Sequence, residues 1–254
     1  SVTRKLVRYA LPLVASSLLQ AIYSITDIII AGHYIGDVGI SAINNASQVM
    51  MILTQIIMGI TTGGNILMGQ YFGSKDRSNR VKTNRTMFGF ALSAGALLSV
   101  LLFLLSHPIL ASLRAPALEE ATAYLQVCSA GLIAIFGYNA LAAMLRSVGN
   151  SKQPFYCVAV TAGCNIALDC LFRGGFRWGV RGAALATVLA QWASFVVCLV
   201  YVLRHRDLFG LVWRQISFHK DKMVQILKLG IPCAVQMTVV GLSWLAMTFL
   251  INAH

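Results

Sequence analysis

The 254-residue chain is 57% hydrophobic and only 11% charged, with a formal net charge of +12 and a mean hydropathy of +0.73. This composition excludes a soluble globular protein, because too few polar residues are available to cover its surface. The basic residues lie in short segments between apolar runs, which is typical of membrane topology signals and argues against a nucleic-acid partner. We therefore expect the lipid bilayer to surround most of the chain.

Seven apolar stretches are long enough to cross a hydrocarbon core of about 30 Å, which takes about 20 helical residues. In chain order the predicted spans are 10–33, 45–71, 86–106, 121–146, 154–173, 179–203 and 223–251. The first is too long for a cleaved signal peptide and lacks a convincing cleavage site, so we interpret it as a retained helix. The predicted fold class is an all-α, polytopic transmembrane helical bundle.

The distribution of basic residues predicts the orientation of this bundle. When loops are assigned alternately to the two sides, most of the 20 Lys and Arg fall on the side of the N-terminus, which the positive-inside rule places in the cytoplasm. The four exceptions are Arg114, Arg173, Arg177 and Arg181. We interpret the last three as a solvated external loop, with an anion-attracting mouth or a lipid-headgroup contact as alternatives.

No arrangement of residues suggests an enzyme. The six cysteines lie in or at the ends of apolar spans without a CxxC pair, and the five histidines are scattered near span ends. We expect no catalytic residues, and no cofactor beyond a coupling ion.

Asp27 and Asp169 are the only acidic residues within the predicted spans. A carboxylate in a bilayer is costly unless it is protonated, paired or bound to an ion, so both are candidates for function. Asp27 follows Pro12, and Asp169 follows Pro154, by 15 residues on outward-running spans. At 1.5 Å per residue both lie about 22 Å from the cytoplasmic end, which predicts that they face one cavity in the outer half of the membrane.

Each acid has a polar neighbour one helical turn away, Tyr23 for Asp27 and Asn165 for Asp169, and Thr187 on the sixth span reaches a similar depth. These oxygens suit a hard cation, or two carboxylates that share one proton, because two close carboxylates cannot both ionise cheaply. The alternative is that Asp169 merely pairs with Arg173, four residues later.

An internal repeat predicts how the chain is organised. Residues 5–12 (KLVRYALP) resemble residues 225–232 (QILKLGIP), each with its proline at the cytoplasmic end of a span. Because six spans separate the copies, both start on the same side, as in parallel repeats. We predict a six-helix lobe over 1–206, a cytoplasmic inter-lobe linker over 207–222, and the first helix of an incomplete C-terminal lobe over 223–254. Two unrelated helices with a proline near the start are the alternative.

Several motifs together resemble the multidrug and toxic compound extrusion (MATE) family, particularly its bacterial branch. They are Ala10-Leu11-Pro12, Gln20, Thr26-Asp27, Met58-Gly59-Ile60, residues 69–73 (GQYFG), residues 145–154 (LRSVGNSKQP), Asn165 to Asp169, and residues 179–187 (GVRGAALAT). The resemblance covers nearly the whole chain. It implies one lobe and the seventh helix of a twelve-helix antiporter in the bacterial inner (plasma) membrane, which exports cationic or amphiphilic drug-like compounds in exchange for protons or sodium ions.

The resemblance carries the ion site over onto Asp27, Asn165, Asp169 and Thr187, which would also hold sodium in a sodium-coupled protein. We expect Gln20, Tyr23 and Asn139 to line the substrate cleft, and Gly59-x3-Gly63 and Gly69-x3-Gly73 to be close-packing surfaces. A lipid-linked oligosaccharide flippase of the same broader superfamily is one rival, and it would need several cationic residues in its cavity. A non-transporting membrane scaffold is the other.

Overall fold

The computed structural model describes residues 2–34, 36–113, 117–176, 178–211 and 217–252. Side chains are described throughout these ranges except at 2–6, 8, 23–24, 27–28, 31–34, 36–38 and 244–252. The elements in these ranges are helices: α1 (Val2–Tyr34), α2 (Gly36–Gly73), α3 (Arg77–Ser112), α4 (Leu118–Ser129), α5 (Leu132–Ser147), α6 (Lys152–Asp169), a π-helical turn (Cys170–Gly175), α7 (Gly179–Arg204), α8 (Arg206–Phe209) and α9 (Lys220–Asn252). The predicted all-α fold is confirmed.

Five helices within these ranges are long and apolar enough to cross a membrane, and α4 with α5 makes a sixth if the bent pair counts as one span. Of α1, the stretch Tyr9–Ile22 qualifies as a shorter apolar helix. The seven-span count and the cytoplasmic N-terminus stay predictions. Pro12 and Pro232 lie inside α1 and α9, well beyond the first turn of either helix, so the preference of proline for N1 does not account for them.

The predicted span 121–146 is interrupted in the structure, because α4 and α5 are separated by a break and bent by 47°. The break lies at Ala130 and Gly131, where α7 approaches so closely that a Cβ on Gly131 would lie 2.5 Å from Gln191 Oε1. The Ser99 hydroxyl donates to the carbonyl of Ser129 (2.7 Å), and Trp192 Nε1 donates to that of Ala130 (3.2 Å). A broken helix is tolerated at membrane depth only where its freed backbone groups find partners in this way.

Helix α9 packs along α2 through a small-residue interface, which we call the α2–α9 seam (Gly59, Gly63, Gly230 and Ala234). A Cβ on Gly63 would overlap the backbone of Gly230 and lie 2.7 Å from the carbonyl oxygen of Ile226. A Cβ on Gly59 would overlap the backbone of Ala234. The close-packing prediction for this pair is confirmed, because only glycine allows two helix backbones to approach so closely.

The same prediction is wrong for Gly69 and Gly73. The nearest atom to a Cβ on Gly69 would be the Ser147 carbonyl oxygen at 3.8 Å, and nothing lies within 4 Å of one on Gly73.

The first residues of the predicted inter-lobe linker are packed against α3. Side chains on one face of α3 donate to successive linker carbonyls: Arg77 to Asp207, Arg80 to Leu208, Asn84 to Phe209 and Arg85 to Gly210. Phe209 and Leu211 are each only 1% exposed. Helix α3 itself begins after Asp76, whose side chain accepts from the backbone N–H of Asn79 (3.0 Å) and from its amide (2.7 Å). These bonds hold the pKa of the Asp76 carboxyl below its ordinary value.

Candidate functional site

Three of the predicted ion-site residues lie together where α6 meets α7. Asn165 and Asp169 are 1% and 0% exposed and share one face of α6, because they are four residues apart. The amide nitrogen of Asn165 lies 2.7 Å from Asp169 Oδ2, and its amide oxygen accepts from the backbone N–H of Thr187 (3.2 Å). We assign the amide orientation from this hydrogen-bond network, because the opposite orientation would set the amide oxygen against the carboxylate.

The fourth member of this cluster is Arg173. Its Nε lies 3.1 Å from Asp169 Oδ1, and the side chains are 1% and 0% exposed, so this ion pair is buried. The alternative pairing raised by the sequence is therefore present in the structure. The interpretation of Arg173 as part of a solvated external loop is wrong, whereas Arg181 is exposed and Arg177 lies outside the described residues.

A π-helical turn places Arg173 there. The backbone N–H of Phe176 donates to the carbonyl of Leu171, five residues earlier, at 2.9 Å. The turn is fixed against α7, because the Phe172 ring stacks on Trp178 with centroids 5.2 Å apart and a Cβ on Gly182 would lie 3.2 Å from Phe172 Cβ. π-Helical turns are rare, and they occur frequently at functional sites.

The other predicted ion-site residue, Asp27, lies on α1, but its side chain is outside the described residues, as is that of Tyr23. Helix α1 packs against α6. The placement of both acids in one cavity therefore stays a prediction.

A cavity of about 390 Å³ lies between α1, α2, α5, α6 and α7. Gln20 and Asn139, which we expected to line a cleft, are both in its wall, together with Met58 and Tyr138. The wall also contains small hydroxyl residues that were not predicted from the sequence, which are Ser16, Ser17, Thr54, Thr161 and Ser194, and it contains Arg146 and Gln191. Small hydroxyl residues are common in membrane helices as packing groups, so no sequence pattern distinguishes the ones that line this cavity.

Several polar side chains of the cavity wall present acceptor oxygens. The hydroxyls of Ser16, Thr54 and Thr161 donate to carbonyls four residues earlier at 2.8–2.9 Å, which leaves their oxygens as acceptors. Asn139 likewise uses its amide nitrogen on the carbonyl of Ile135 (2.8 Å). Gln191 Oε1 is buried with no hydrogen-bond partner among the described residues. Arg146 is the one charged residue among the described lining.

The cavity and the buried cluster are neighbours along two helices. Thr161 in the cavity wall lies one turn before Asn165 on α6, and Gln191 lies one turn after Thr187 on α7. Two continuous helices therefore connect the Asn165–Asp169 contacts to the cavity wall.

A helical bundle with several helices long and apolar enough to span a membrane, an internal cavity and a buried charge cluster beside it is typical of a polytopic membrane protein. The chain belongs to the MatE family, whose sequence model matches residues 12–171. It is 28% identical over 263 residues to the probable multidrug resistance protein YoeA of Bacillus subtilis, with 100% of this chain and 57% of YoeA covered. It is 24% identical over 259 residues to the multidrug export protein MepA of Staphylococcus aureus, with 100% and 56% covered.

Solved structures share the fold. A MOP superfamily transporter from Pyrococcus furiosus matches with a TM-score of 0.87 at 23% identity, over 98% of this chain and 55% of that one. The same values hold for a multidrug resistance MATE family transporter in an outward-facing conformation. The chain thus spans a little over half the length of its relatives, which agrees with the predicted single lobe and seventh helix.

Proposed function

We propose that this lobe belongs to a secondary active exporter of amphiphilic, drug-like compounds, which carries them out of the cell across the bacterial inner membrane in exchange for protons or sodium ions. A second lobe completes the substrate cleft. The names of YoeA and MepA, a multidrug resistance and a multidrug export protein, support this class of activity. The observation that carries the proposal is the acceptor-rich cavity one helical turn from the buried Asp169 cluster.

The cavity chemistry favours compounds that combine an apolar body with hydrogen-bond donors. Its wall contains the apolar side chains of Leu13, Met58 and Val158. It also contains the acceptor oxygens of Thr161 and Asn139. A protonated amine supplies the donors that such oxygens need. A lipid-linked oligosaccharide flippase is disfavoured. Binding of its anionic headgroup would need several cationic side chains, and Arg146 is the only cationic residue in the described cavity wall.

The mechanism we propose is alternating access. Ion binding at Asp27 and Asp169 from the outer side changes the packing of α1 against α6 and α7, and the two lobes then reopen with the substrate expelled. Exchange requires that the substrate and the ion differ in affinity between the inward-open and outward-open states.

The proposal predicts that Asp169→Asn and Asp27→Asn each abolish gradient-driven efflux by the full-length protein. The measurement is export of a fluorescent amphiphilic amine from proteoliposomes with imposed proton or sodium gradients. Asp169→Asn leaves a buried arginine without its carboxylate and could destabilise the fold. The double variant Asp169→Asn/Arg173→Gln removes both charges and is therefore measured beside it as a control for folding. Glu119→Gln, an exposed acid, serves as the control and should transport normally. Unimpaired efflux by both aspartate variants would overturn the proposal.

A second prediction concerns the unpartnered oxygen of Gln191. We expect Gln191→Leu to weaken the binding of amine substrates about tenfold, because one hydrogen bond contributes about 1 kcal/mol or somewhat more. The melting temperature should not fall, since the change removes a buried acceptor that has no partner. Gln126→Leu on α4, outside the cavity lining, is the control. Equal affinities of Gln191→Leu and wild type would exclude this oxygen from substrate binding.

A further inference from the structure

The site proposed for a cation at Asp169 already contains a positively charged side chain of the protein, that of Arg173. The two oxygens of this carboxylate face a guanidinium nitrogen of Arg173 at 3.1 Å and the amide nitrogen of Asn165 at 2.7 Å. We infer that Arg173 is the resident cation of this site, and that the Asn165–Asp169–Thr187 cluster does not bind sodium. This inference deepens the proposed function, because it states which positive charge Asp169 holds.

The donor set does not fit a sodium ion. A hard cation needs several oxygens whose lone pairs are free to converge on it. Here the amide oxygen of Asn165 accepts from the backbone N–H of Thr187 (3.2 Å), and Asp169 Oδ2 lies 2.7 Å from the amide nitrogen of Asn165. The other carboxylate oxygen, Oδ1, lies 3.1 Å from the guanidinium nitrogen Nε of Arg173, so among the described groups a sodium ion would have to compete with Arg173 for it.

Charge balance points the same way. Asp169 and Arg173 are 0% and 2% exposed, and buried charges persist when they are paired. The pair is neutral as a unit. A sodium ion placed against Asp169 would stand beside the fixed positive charge of Arg173 at short range, where little water screens the repulsion.

The fold holds the guanidinium in this position. Arg173 lies in the middle of the π-helical turn, which the Phe172–Trp178 stack and the close packing at Gly182 fix against α7. The arginine is therefore an integral part of the site, and it does not belong to the solvated loop that follows.

The test measures thermal unfolding of the full-length protein in detergent, in sodium chloride and in choline chloride at equal ionic strength and pH. A ligand that binds the folded state raises the melting temperature, so a sodium site shows as a difference between the two salts. We expect this difference to be the same in wild type and in Asp169→Asn/Arg173→Gln. This comparison cancels any sodium response that arises elsewhere in the protein. A sodium-dependent rise in wild type that is lost in the double variant would overturn the inference.

The single variant Arg173→Gln gives a second readout. It leaves the carboxylate without its resident cation, so sodium should now raise the melting temperature by several degrees more than in wild type. Arg181→Gln, which removes an exposed arginine at the same end of α7, should behave like wild type. An Arg173→Gln protein with no greater sodium response than wild type would count against the inference. These melting temperatures do not depend on transport. If the full-length protein exported no substrate, the proposed function would be refuted, and the comparison of melting temperatures would still test the role of Arg173.

Discussion

Arg173→Met in the full-length protein is expected to lower the free energy of unfolding by about 3–5 kcal/mol, because it leaves the carboxylate of Asp169 buried without its ion-pair partner. The arginine and aspartate side chains are 1% and 0% exposed, so little water can replace the lost guanidinium. The measurement is the midpoint of thermal or denaturant unfolding of the purified protein in detergent.

A double replacement shows how much of this loss comes from the interaction between the two charged side chains. Asp169→Asn/Arg173→Met should recover most of the loss, because removing both charges also removes the cost of burying them. Arg181→Met, at an exposed position, should change the free energy of unfolding by no more than about 0.5 kcal/mol. If the double variant loses as much free energy of unfolding as Asp169→Asn and Arg173→Met lose in sum, the two groups do not stabilise each other.

Gly63→Ala is expected to destabilise the α2–α9 seam by about 2–3 kcal/mol, because the added methyl group overlaps the backbone of Gly230. Backbone atoms of two packed helices cannot rotate away as a side chain can, so α9 must shift from α2. The measurement is the melting temperature, together with the yield of a disulfide between cysteines introduced on α2 and α9.

Gly163→Ala on α6 is the matched control. No atom of the described residues lies within 4 Å of a Cβ at Gly163, so this change should be neutral or stabilise the helix by up to about 1 kcal/mol. Equal melting temperatures for the Gly63 and Gly163 variants would contradict the close approach of α2 and α9.

The positions of the helices could be predicted from hydropathy, but their ends and breaks could not. Helix α2 starts at Gly36, nine residues before the predicted span at 45, because Gly, Asp, Ser and Asn residues interrupt the apolar pattern there while Ala42 and Ile43 still pack into the core. The break at Ala130 and Gly131 lies within an apolar run. It depends on Ser99 and Trp192, which are distant in the chain and supply hydrogen bonds to the freed carbonyls.

The candidate site divides in the same way. Asp169, Asn165 and Thr187 could be selected from the sequence, because acids are rare in apolar spans and helical spacing fixes their neighbours. The sequence could not decide whether Arg173 is buried against Asp169 or lies in a solvated loop, because an arginine four residues after an aspartate is compatible with both arrangements. The π-helical turn and its aromatic contacts decide between them.

Hydropathy and the cost of a buried charge are local properties, so the residues alone predict a membrane-embedded helical bundle with a rare acidic residue, Asp169, within an apolar run. Only the tertiary structure decided which cation Asp169 meets, where the acceptor-rich cavity lies, and which glycines bring α9 onto α2. These features depend on distances between groups far apart in the chain, and such distances are set by packing.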